Sequence, residues 1–220
     1  MGPQAPKILK NFDPDIEIKG PKEAENEFFD YQIPLMSLIQ KFDESLERPF
    51  QCIIKLEDNV KKSDFEPHHL NIAFAHSGNQ NYSRDHYRSI DISKFQNIFN
   101  QNNVNFYKLN NSNMSSLDPK YNKSITDLSH LDIYDIAIML SKFDLVISTD
   151  TIFAHLCGIL NISCVLLLSK NSDWRWFDDH KKTVWYKSIR IVKQKKLDDW
   201  DSVILLINRF LRLKSYTKQI

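Results

Sequence analysis

The stretch Asp144-Leu-Val-Ile-Ser-Thr-Asp-Thr-Ile-Phe-Ala-His-Leu-Cys-Gly158 changes its periodicity midway. It opens on a short apolar run, Leu145 to Ile147, of the kind that forms a strand buried on both faces of a parallel sheet. Ser148, Thr149, Asp150 and Thr151 follow, all of them residue types that favour helix N-caps. From Ala154 the spacing becomes helical, with Ala154, Cys157 and Leu160 able to share a face. A strand that turns directly into a helix leaves several backbone N–H groups unpaired at the positive end of the helix dipole, and phosphate is a common occupant of such a place. His155 lies one turn inside this helix and offers a second donor toward the same anion. The plainer alternative is that Asp150 caps the helix and His155 is a satisfied, half-buried ring.

Outward from this stretch the chain alternates strand and helix patterns. Residues 71–76 (Asn-Ile-Ala-Phe-Ala-His) read as a first buried strand, closed by Ser77-Gly78-Asn79. Ile92, Phe95, Ile98 and Phe99 fall on one stripe and predict a helix over 91–101. A second strand is expected over 104–109 and an Asn/Ser/Pro-rich loop over 110–122. Ile133, Ile136, Ala137 and Leu140 predict another amphipathic helix. Strands are expected again at 164–168 and 189–192, and a closing helix around Val203, Leu206, Ile207 and Phe210. Such alternation implies an α/β fold with a doubly wound parallel sheet. Residues 57–69 are the best linker candidate, which divides the chain into residues 1–60 and a regular domain over 61–220.

Composition narrows the function. With 29 basic and 28 acidic side chains, the net charge of +1 gives no footprint for nucleic acid. Only 4 glycines are present, so Gly-rich phosphate loops are absent and any phosphate site must use helix ends and side chains. Cys52, Cys157 and Cys164 show neither metal-ligand spacing nor an even count for a disulfide framework. No apolar run is long enough to span a bilayer, and the N-terminus has no signal-peptide layout. A cytoplasmic, reducing setting is the expectation.

In doubly wound sheets ligands bind beyond the carboxyl ends of the strands. Three segments should meet there: the Asp150-Thr151 helix start, the loop from Gly78 to Ser89 with Arg84, His86, Arg88 and Ser89 as donors, and Asp173-Trp-Arg-Trp-Phe177 with Trp185-Tyr186 beyond it. Arginines suit a diphosphate, and the aromatic rings could stack a base or sugar or simply seal a sheet edge.

Asp144-Leu-Val-Ile-Ser-Thr-Asp-Thr, Ala154-His-Leu with Gly158, Asp173-Trp-Arg-Trp, Trp185-Tyr186, Arg190, Gln194 and Asp199-Trp200 together resemble the glycosyltransferase family 9-like domain. This is the heptosyltransferase-related C-terminal domain found in bacterial tetratricopeptide-repeat glycosyltransferases. Gly78-Asn79, Arg88-Ser89-Ile90 and Ile33-Pro-Leu-Met-Ser-Leu38 match as well, so the resemblance runs from about residue 28 onward. His76, His86, Asn161, Ser163 and Lys187 depart from the family pattern.

The resemblance implies the Rossmann-like C-terminal half of a metal-independent GT-B glycosyltransferase, with a nucleotide-diphosphate sugar as donor and no cofactor. It implies that Thr151 and the N–H groups from Ile152 onward receive the donor phosphate, with His155, Arg88, Ser89 and Gly78-Asn79 beside it. Asp150 would fix the turn or contact the sugar. Leu109, Asn110, Trp174 and Trp176 would face base or sugar. Residues 1–60 would be the remnant of an acceptor domain, leaving the catalytic base unnamed and calling for a separate chain or self-association. A non-catalytic nucleotide-sugar-binding remnant or adaptor is the alternative. Arg88→Ala is expected to weaken diphosphate binding with little loss of stability.

Overall fold

The computed structural model of the chain describes residues 15–25, 27–34, 37, 56, 65, 68–122, 124–176 and 182–217. In chain order the elements are α1 Pro21–Ala24, β1 Leu70–Ala75, α2 Asp85–Arg88, a 3-10 turn Ile92–Phe95 running into α3 Gln96–Phe99, β2 Val104–Lys108, α4 Pro119–Asn122 and β3 Ile125–Asp127. They continue with α5 Ile133–Leu140, β4 Leu145–Thr149, α6 Ile152–Ile159, β5 Cys164–Leu168, a 3-10 turn Trp174–Trp176, β6 Ile189–Lys193 and α7 Trp200–Thr217.

Six strands form one sheet in the order β3-β2-β1-β4-β5-β6, and every neighbouring pair is parallel. The expected doubly wound α/β fold is therefore present. All six residues of β1 and all five of β4 and β5 are buried, as central parallel strands covered on both faces require. Side-chain alternation sorts them onto two faces. Ala73, Ala75, Val146, Leu166 and Leu168 meet Ile136, Ala137 and Leu140 of α5 and Ala154 and Cys157 of α6. Ile72, Phe74, Ile147, Val165 and Leu167 meet Ile92, Phe95 and Phe99 and the α7 stripe of Val203, Ile207 and Leu211.

Several sequence expectations need correction. Ser148 and Thr149 do not cap a helix; they extend β4, and both are fully buried. The helix expected over 91–101 is a 3-10 turn followed by one turn of α-helix. The loop expected over 110–122 carries a helical turn at its end, and the short edge strand β3 was not anticipated. Its three residues, one half-buried and two exposed, carry too little periodicity to be read. Of the linker expected over 57–69, Phe65 is in fact core: it packs against Tyr107 and Phe143 at centroid distances of 5.5 and 5.4 Å. Asn161 adopts φ 55° at the end of α6, a left-handed position that Asn tolerates better than other non-glycine residues.

Candidate functional site

β1 and β4 are neighbours, with Ala75 beside Ser148, while the chain leaves them in opposite directions across the sheet. Their carboxyl ends make the crevice of a doubly wound sheet, and a cleft of about 360 Å³ lies there. The loop after β1 contributes Asn79, Arg84 and Arg88, the β4–α6 joint contributes Asp150, and the segment after β5 contributes Asp173 and Arg175. A second cavity of about 350 Å³ lies between β6 and α7, lined by Leu206, Ile207 and Phe210. Lys182 and Arg190 also line it, but its wall is mainly apolar and it lies away from the carboxyl ends of β1 and β4.

The first wall is built on a buried carboxylate. Asp85 accepts from Arg88 Nε at 2.8 Å and from the Ser89 hydroxyl at 2.7 Å, and that hydroxyl accepts from the Gly78 N–H at 3.0 Å. Arg88 Nη1 also donates to the Asp150 carbonyl oxygen at 2.8 Å, and the guanidinium lies 4.9 Å from the Tyr82 ring centroid. A Cβ on Gly78 would stand 2.3 Å from Asp85 Oδ1 and 2.4 Å from Arg88 Nη2, so any side chain there would have to displace this ion pair. Gly78, Ser89 and Arg88 thus form one cradle. The i, i+3 spacing of Asp85 and Arg88 was the signal that could have identified its anchor.

The second wall is the α6 N-terminus. Its N-cap is Thr151, with φ −136° and ψ 171°, and no side chain caps the helix. The Thr151 hydroxyl lies 2.8 Å from that of Ser148 instead. The contrast with α5 is direct, since the Asp132 carboxylate there accepts from the Tyr134 and Asp135 N–H groups at 2.9 Å. Asp150 therefore does not cap α6, and the amide groups following Thr151 keep their donor capacity. Ile152, the first helical residue, is half exposed.

His155 sits behind this end of the helix. Its ring stacks on Trp176, with centroids 5.0 Å apart and planes 23° apart, and its Nδ1 is 3.2 Å from the Tyr186 hydroxyl. Burial holds its pKa below the ordinary 6.5, against the pull of Asp150, so the ring is neutral near pH 7.

The cleft is close to charge-balanced. Arg88 pairs with Asp85, and Arg175 pairs with Asp173 at 2.9 Å. Among the described residues Arg84 has no ion pair and the Asp150 carboxylate no hydrogen bond, which leaves one positive and one negative group uncommitted in the lining of the cleft. Arg175, inside the aromatic segment, contributes to the cleft where the sequence reading took only its neighbours.

Those neighbours lie elsewhere. Trp176 is fully buried beneath His155 and offers no face to a ligand, so the expectation of base or sugar stacking by its ring is corrected. Trp174 is 57% exposed and does not line the cleft. Leu109 is 1% exposed as a whole residue and its N–H is bonded to the Phe74 carbonyl oxygen, so it offers no surface to a base and that expectation is corrected. Asn110 donates to the Ser77 carbonyl oxygen at 2.7 Å while its own buried Oδ1 has no hydrogen-bond partner among the described residues. His76 is structural: its Nδ1–H donates to the Ile90 carbonyl oxygen at 2.7 Å. Among the described residues there is no cluster of three or more His, Cys, Asp or Glu placed to hold a metal, and no helix long and apolar enough to cross a membrane.

No protein-family model and no curated protein matches the chain. Its fold is similar to that of the Escherichia coli ADP-heptose lps heptosyltransferase II, with a TM-score of 0.53 at 11% identity, covering 76% of this chain and 54% of that one. A glycosyl transferase family 9 structure from Veillonella parvula DSM 2008 follows with a TM-score of 0.48 at 7% identity, covering 76% and 54% of the two chains. The E. coli heptosyltransferase WaaC with ADP has a TM-score of 0.47 at 12% identity, covering 66% and 44%. The chain spans about half the length of the structures it matches. The first of these likenesses places the sheet in the Rossmann-like α/β fold of GT-B heptosyltransferase structures.

Proposed function

We propose that this chain binds a nucleotide-diphosphate sugar and serves as the donor side of a glycosyltransferase. The observation that carries the reading is the α6 N-terminus, left uncapped by any side chain at the sheet's switch point and next to a cleft holding Arg84, Arg88 and Arg175. A departing diphosphate builds up negative charge, and fixed donors already aimed at that place stabilise it without reorganising. The free amides after Thr151 take one phosphate, and Arg84 and Arg88 approach the other. His155 adds a neutral donor, and the uncommitted Asp150 carboxylate accepts from sugar hydroxyls. The similar E. coli protein bears ADP-heptose in its name, so an adenine nucleotide is the first to test.

The test is titration with ADP, UDP, GDP and CMP, by thermal shift and then calorimetry. Ligand at a hundred times its dissociation constant should stabilise the fold by about 3 kcal/mol. Binding by one diphosphate supports the reading and identifies the base. A folded chain that none of the four stabilises would overturn it.

A further inference from the structure

Tyr186 lies on a loop some thirty residues beyond α6, yet the fold brings it flat against Gly158, where a Cβ would stand 2.2 Å from its Cγ. That close approach sets its hydroxyl 3.2 Å from His155 Nδ1. The imidazole is held on two sides: stacked on Trp176 with centroids 5.0 Å apart, and met edge-on by Tyr186 with centroids 6.0 Å apart and planes at 72°. Among the described residues the Tyr186 hydroxyl has no other hydrogen-bond partner. Among the described residues the acceptor within reach of its proton is Nδ1, and the contact is a donation by Tyr186 when that nitrogen carries the lone pair. A neutral imidazole that accepts at Nδ1 carries its own proton on Nε2. Side chains of an α-helix lean toward its N-terminus, so His155, at the fourth position of α6, leans toward the open amides. The charges that act on it, Asp150, Arg175 and Asp173, all line the cleft.

We propose that Tyr186 is a positioning residue for the site: by donating to Nδ1 it holds His155 as the Nε2–H tautomer, so that the ring presents a fixed neutral donor to an anionic ligand. The ligand half of this statement rests on the donor-site reading above, whereas the tautomer half concerns the free protein alone. Tyr186→Phe keeps the ring against Gly158 and removes only the hydroxyl.

Long-range 1H–15N correlation of the imidazoles in the full chain, with the His155 signals assigned from their loss in His155→Gln, reads the tautomer directly. The expected spectrum shows Nδ1 unprotonated and Nε2 protonated, and in Tyr186→Phe both shifts move toward averaged values with the melting temperature unchanged. In the same variant, affinity for ADP should fall roughly three- to tenfold, the usual reach of one hydrogen bond. A wild-type spectrum with Nδ1 protonated, or shifts unmoved by Tyr186→Phe, would overturn the tautomer assignment whatever the binding result. Unaltered ADP affinity in Tyr186→Phe, with wild-type protein binding ADP, would overturn the positioning role. Failure of the wild-type protein to bind ADP, UDP, GDP or CMP strikes the donor-site reading instead, and the free-protein spectrum still decides the tautomer.

Discussion

Arg88 ties the loop after β1 to the joint between β4 and α6: Nη1 donates to the Asp150 carbonyl oxygen at 2.8 Å while Nε donates to the Asp85 carboxylate at the same distance. One side chain thereby sets the width of the cleft between two walls that are 62 residues apart in sequence. Arg88→Ala would leave Asp85, whose side chain is 10% exposed, with only Ser89 as partner. A charged group left short of its partners in a buried place costs about 1–3 kcal/mol. Both stability and diphosphate affinity should fall, in contrast to the expectation from sequence that stability would be spared. Urea denaturation with an unchanged m-value checks the first, and calorimetry the second.

Arg84 should behave differently. It lines the same cleft, is exposed, and has no ion pair among the described residues. Arg84→Ala removes a positive charge that nothing in the fold depends on, and surface changes of that kind leave stability within about 0.5 kcal/mol. Affinity for ADP should drop, and the dependence of binding on salt should become shallower, because one screened attraction is lost. Calorimetry at two ionic strengths measures both. A salt dependence equal to that of the wild-type chain would remove Arg84 from the site.

The contrast between these arginines marks how far sequence reading reaches. The strands were legible because β1, β4 and β5 are continuous apolar runs buried on both faces, and their alternation with helices dictated a parallel sheet. The position of the cleft followed from the winding rule, and Asn79, Arg88 and Asp150 do meet there. What sequence did not disclose is which side chains are already spoken for. The Arg88–Asp85 pair and the burial of Trp176 depend on contacts between distant segments. In the Asp173-Trp-Arg-Trp run the rings drew the functional expectation, and Arg175 reached the cleft. A 3-10 turn explains the difference: three successive residues point in three directions, one of them into the core.

Gly158→Ala offers a packing test of the Tyr186 arrangement. The new Cβ would lie 2.2 to 2.6 Å from three atoms of the Tyr186 ring, well inside contact distance. The ring must move, and overpacking of this kind costs about 1–3 kcal/mol. Tyr186→Ala in the same chain removes the obstacle, so the double variant should be more stable than the sum of the two single losses. A double-mutant cycle by urea denaturation measures that coupling. Simple additivity would mean that residue 158 has room without displacing the tyrosine.

Stability should also fall on mild acidification. Burial is the leading cause that holds the pKa values of His76 and His155 below the ordinary 6.5. The unfolded chain then binds more protons than the folded one between 6.5 and the lowered values, so stability rises with pH across that window. The full contribution is present above 6.5 and is lost progressively below it. His76 has the stronger structural reason to remain neutral, since its Nδ1–H is committed to Ile90 and its Nε2 lies 2.8 Å from the Ser112 hydroxyl. The carboxylates act in a separate window. Hydrogen bonds from Ser93 and Ser116 hold Asp91 below its ordinary 3.8, so its contribution is complete above that value and fades only as pH falls beneath it. Urea denaturation at pH 7.5, 6.5 and 5.5 should therefore show a decline that begins at the histidine window. His76→Gln should make the decline shallower even if it lowers stability overall. A flat profile from pH 7.5 to 5.5 would mean that both rings accept a proton inside the fold as easily as outside it, and that neither is desolvated as the structure has it.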